Sequence, residues 1–73
     1  MNELQKTVME YVIGYIKVEH MPVPRQKILE QVAIGEIKEF TVANALDSLI
    51  KKGYIRRSSV VSRTTSYVQL RGI

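Results

Sequence analysis

Cysteine and tryptophan are absent from the 73 residues, and histidine occurs once, at His20. Without cysteine there is no disulfide, no thiolate zinc site and no cysteine nucleophile. A single histidine, with no pair of carboxylates at a useful spacing, leaves no nucleophile–base constellation and no metal-ligand set. The expectation is therefore a protein that is not an enzyme and carries no cofactor, metal or evident small-molecule ligand. No apolar run approaches the ~20 residues that span a bilayer, and the amino terminus lacks the basic-then-apolar pattern of a signal peptide. These absences point to a cytoplasmic protein with no membrane association.

Acidic residues are missing from the last third of the chain. Residues 1–50 hold five Lys/Arg against seven Asp/Glu, a balance of −2. Residues 51–73 hold Lys51, Lys52, Arg56, Arg57, Arg63 and Arg71 and no acid, a balance of +6. An excess confined to one end of a small chain makes a one-sided positive field, and nucleic-acid phosphate is the commonest partner for one. The plainer reading is a solvated basic strand edge that resists aggregation.

What is present suffices for one folded domain over 1–73, with 45% apolar residues and no low-complexity tract. Its stability is expected to be only a few kcal/mol, because a chain this short buries about 60% of its unfolded surface. Leu4, Val8, Tyr11, Val12, Tyr15 and Ile16 recur at helical spacing and predict a helix over about 2–19, with Asn2 as N-cap. Gly14 either costs that helix about 1 kcal/mol relative to alanine or marks a close approach by another element. His20, beside Pro22, reads as a helix-end cap or a solvated residue. Val23 lies between two prolines and must be extended, as a strand of one or two residues. A second helix is predicted over about 24–33, with Pro24 at its first position, and Gly35 ends the connection after it. A third helix over about 39–52 turns Val42, Leu46, Leu49 and Ile50 inward and stops at Gly53. Strand-like runs follow within 54–70, where Val68 and Leu70 alternate with Tyr67 and Gln69. No tight-turn signal separates the two runs.

The fold class is thus α+β: three helices, then a two-stranded hairpin, with a minimal strand near Val23. In that order these elements resemble the winged helix-turn-helix layout. Thr41-Val42, Leu46, Leu49 and Lys52-Gly53-Tyr54-Ile55-Arg56-Arg57 resemble the amino-terminal DNA-binding domain of LexA-type repressors. They are similar, less closely, to MarR-type and penicillinase-repressor-type regulators. The 32–41 segment is longer and less serine-rich than a LexA-type turn, and residues 1–73 themselves hold no protease domain. The resemblance implies a sequence-specific double-stranded DNA-binding protein, a small transcriptional repressor acting as a homodimer. As a whole protein it would be a mini-regulator of the kind mobile elements or viruses carry; the alternative is an excised domain.

With Val42, Leu46 and Leu49 inward, the opposite face of the third helix carries Thr41, Asn44, Asp47, Ser48 and Lys51. Asn44 has the paired donor and acceptor that match adenine, Thr41 a methyl for thymine, and Ser48 a hydroxyl for phosphate. Lys38, at the amino end, is placed for a phosphate or guanine, and Asp47 is expected to point away from DNA. Lys52, Arg56, Arg57, Ser58, Arg63 and Thr64 make up the junction and wing, with Arg63 near the tip aimed at a minor groove. Phe40 is expected to fold under the turn onto Ile37 and the core; the alternative is an exposed apolar contact. The rival to DNA binding is a protein-interaction module of a replication or recombination complex, using Tyr11, Tyr15 and Tyr54.

Overall fold

Asn2 opens the first helix by accepting the Gln5 backbone N–H on its side-chain oxygen at 2.8 Å, while the Gln5 side chain accepts the Asn2 N–H at 3.3 Å. This reciprocal capping box satisfies two amide donors that the helix itself leaves unpaired. The helix it starts, α1, spans Glu3–Glu19 in the computed structural model, which describes residues 1–58 and 65–72. His20 ends it in the left-handed conformation (φ 57°), its N–H bonded to the Ile16 carbonyl.

The chain then forms β1 (Val23–Pro24), α2 (Arg25–Val32), α3 (Glu39–Lys51), β2 (Ile55–Ser58) and β3 (Ser66–Gln69). The three strands make one antiparallel sheet in the order β1-β3-β2. Val23 pairs with Tyr67, so the residue between the prolines does form a two-residue edge strand. Pro24 is the N-cap of α2 rather than its first helical residue, because it is still in the sheet.

One apolar cluster joins every element. Val8, Met9 and Val12 of α1 meet Ile28 and Val32 of α2 and Val42, Ala45, Leu46 and Leu49 of α3. Val23, Ile55 and Tyr67 close it from the sheet. Ile50 is only half-buried, at the flank of the α3 stripe. In β3 the inward residue is Tyr67, whereas Val68 is half-buried and Leu70 exposed. The tyrosine ring is large enough to reach the core, and its hydroxyl lies 3.3 Å from the Arg25 guanidinium, which donates to it.

Gly14 approaches nothing: a Cβ built there would meet no atom within 4 Å. The Gly14→Ala variant is therefore expected to gain about 1 kcal/mol, seen as a rise of roughly 4–8 °C in the thermal midpoint followed by circular dichroism. Among the described residues, no helix is long and apolar enough to cross a membrane.

Candidate functional site

The junction after α3 is set by backbone chemistry. Lys52 caps the helix, and Gly53 follows with φ +81°. The Gly53 N–H bonds to the Ile50 carbonyl and the Tyr54 N–H to the Leu49 carbonyl, each at 3.0 Å. This pair is a Schellman motif, which needs a residue that enters the left-handed region without strain. It turns the chain so that β2 leaves directly alongside α3. Arg71 holds the junction from the other end of the hairpin. Its guanidinium donates to the Lys52 carbonyl at 2.8 Å and lies 4.1 Å from the centre of the Tyr54 ring. A cation at the carboxyl end of a helix also complements its dipole.

The five described cations near the carboxyl end, Lys51, Lys52, Arg56, Arg57 and Arg71, therefore do not share one surface. Arg71 is turned onto α3. Lys52 donates through its ammonium to Gln5 Oε1 at 3.2 Å, which draws it toward the start of α1 and away from the outer face of α3. Gln5 is the one buried polar residue of the described chain, so this bond helps satisfy it. Arg57 makes an exposed ion pair with Asp47 at 3.8 Å. The pair is worth little in stability, but it shows that the outer face of α3 and the edge strand β2 adjoin. It also explains where Asp47 points: toward β2. Lys51 and Arg56 are exposed and have no acidic partner among the described residues.

On α3, Phe40, Asn44, Asp47 and Lys51 are exposed and recur at the spacing of a single helical stripe opposite the buried one. Thr41 and Ser48 lie at its margins, half-buried. Lys38 is exposed as the N-cap, with no side chain accepting from the first amides of α3. A helix start of this kind favours an anion such as phosphate. Ser58 is half-buried at the end of β2. Arg63 and Thr64, with Ser59 and Ser62, lie outside the described residues.

Two further features depart from the sequence expectation. Phe40 does not pack under the turn; it is 65% exposed, and Ile34 and Ile37 in the same connection are exposed as well. The physical reason is helical phase: Phe40 is the second residue of α3, on the side opposite the buried Val42, Ala45, Leu46 and Leu49. Arg25 was not singled out, yet it stands half-buried beside β3, held by the Tyr67 hydroxyl and by its own N–H to the Thr65 carbonyl at 2.9 Å. Its position was the available signal, since a cation in the first turn opposes the helix dipole and calls for another partner.

The tyrosines of the rival surface are partly committed within the fold. Tyr11 and Tyr15 are half-buried with ring centroids 6.0 Å apart, and Tyr54 lies under Arg71. Burial, followed by the neighbouring Tyr15, Glu30 and Glu19, raises the pKa of the Tyr11 phenol. A shallow, mostly apolar groove between α1 and β3 is lined by Ile16, Met21, Pro22 and Val68, with His20 and Gln69 at its rim. Among the described residues, no cluster of three or more His, Asp or Glu side chains converges as a metal site would require. No family model matches the chain, and neither a curated protein nor a solved structure matches it.

Proposed function

We propose that the chain is a winged helix-turn-helix protein that binds double-stranded DNA sequence-specifically and acts as a small transcriptional regulator, a repressor. In this reading α2 and α3 form the helix-turn-helix, α3 enters the major groove, and the β2–β3 hairpin is the wing on the backbone or an adjacent minor groove. The observation that carries it is the exposed Phe40–Asn44–Asp47–Lys51 stripe, rigidly backed by four buried residues and adjoining a basic strand through the Asp47–Arg57 contact. A narrow polar face on a well-anchored helix suits a major groove, and neighbouring cations suit the phosphates that flank it. A lone unit of this size contacts few bases, so the reading includes a homodimer on a palindromic site, with α1 the first candidate for its interface.

A gel shift with mixed-sequence duplex at low salt tests the reading directly. Four phosphate contacts, from Lys38, Lys51, Arg56 and Arg57, imply that affinity falls about a hundredfold between ~50 and ~200 mM salt. Absence of any shift at low salt would sink the proposal. Within it, Asn44→Ala is expected to flatten sequence preference while leaving binding to mixed duplex nearly unchanged, as measured by selection from a random duplex pool.

A second reading, a docking module for another protein, is favoured by the exposure of Val18, Met21 and Leu70 away from the α3 stripe. Binding that is insensitive to salt and to duplex would favour it.

A further inference from the structure

Phe40 is the only phenylalanine of the chain and is 65% exposed. Full burial of such a side chain is strongly favourable, so its exposure in a domain with so small a core asks for an explanation. The local roles it might fill are already occupied. Val42, Ala45, Leu46 and Leu49 supply the buried face of α3. With Lys38 as N-cap, Ile37 and Val42 hold the two positions of a hydrophobic staple, and Phe40 holds neither. No aromatic or cationic partner stacks on its ring among the described residues.

What the ring does share is a stripe. Phe40, Asn44, Asp47 and Lys51 project from the same side of α3, and Phe40 lies in its first turn. Glu39, the nearest carboxylate in sequence, is exposed but falls about 100° away around the helix, off this stripe. Ile34 and Ile37 are exposed in the connection before it, but along α3 the ring is followed by an amide, a carboxylate and a cation, which is not the charge-depleted centre of a protein interface. It is better matched to a major groove, where the one apolar group on a base edge is the thymine C5 methyl, a known contact for phenylalanine. The amino-terminal turn of a groove-entering helix is the part that meets base edges.

Resting on the DNA-binding reading above, we infer that Phe40 is a specificity-determining residue that packs on a thymine methyl beside the base pair read by Asn44. The two side chains are one helical turn apart, about 6 Å along the axis. That distance is about two base-pair steps of 3.4 Å rise, so the thymine lies within about two steps of the Asn44 adenine.

The test takes a duplex selected from a random pool by the full chain and replaces each thymine in turn with deoxyuridine, which removes only the methyl. One position is expected to lose about fourfold in affinity, the worth of a single buried methyl group. That sensitivity should vanish in Phe40→Ala and persist in Phe40→Met, which keeps an apolar contact. Both variants should melt like the parent, because the ring is exposed, and both should still shift mixed duplex at low salt. If the parent binds mixed duplex but no thymine position responds, or if the response survives Phe40→Ala, the inference is overturned and the ring belongs to a protein-facing surface. If the parent shifts no duplex at all, the DNA-binding reading itself fails.

Discussion

Replacing Lys51 and Arg56 together with alanine is expected to weaken binding to every duplex about fiftyfold at ~0.1 M salt and to reduce the magnitude of the log–log salt slope by about two. The magnitude follows from counterion release, in which each lost phosphate contact removes about 0.9 from the slope. Both side chains are exposed, lack an acidic partner and are not bonded to another element among the described residues. The matched control is Lys52→Ala. It removes one unit of charge from the same stretch, as single Lys51→Ala does, but its ammonium is bonded to Gln5. Its expected effect on affinity is only about twofold, through the long-range field alone. Affinity measured by fluorescence anisotropy across a salt series separates the cases. Equal losses for Lys52→Ala and for single Lys51→Ala would mean that binding follows net charge and not the face described here.

Leu46→Ala is expected to lower stability by about 2–5 kcal/mol, most or all of what a domain of this length has. Leu46 is fully buried at the centre of α3 and faces the cluster that α1, α2 and the sheet share. Truncation opens a cavity that so few surrounding residues cannot close. Most of the variant should be unfolded at 37 °C by circular dichroism, with duplex binding lost in proportion. A folded variant with unchanged midpoint would show that the packing described for α3 is not the packing that holds the chain together. The contrast with Phe40→Ala is instructive, since the smaller leucine is expected to govern folding and the larger phenylalanine only recognition.

Much of the fold was legible in the sequence because it is written in local chemistry. Asn2 caps α1 as short-range hydrogen bonding requires. Gly53 ends α3 because the Schellman turn needs a left-handed residue. Val23 is a strand because proline on each side permits little else. The polar face of α3 followed from the same periodicity that predicted its apolar face. Phe40 was not legible in this way: whether a ring beside a turn folds under or stands out depends on the residue at which the helix begins, which sets its phase. The inward face of β3, which carries Tyr67, was not legible for a related reason, since strand alternation names two faces but does not say which one meets the helices.

The sequence by itself determined the elements, their order and the one-sided charge, since each depends on neighbours within a few residues. Tertiary structure decided which cations remain available. Lys52 and Arg71 sit in the same basic stretch as Lys51 and Arg56, yet one bonds to Gln5, forty-seven residues away, and the other to a carbonyl nineteen residues back. Contacts over such separations come from chain packing, which no local pattern encodes, so among the described cations Lys52 and Arg71 are bonded to distant parts of the chain and Lys51 and Arg56 are not.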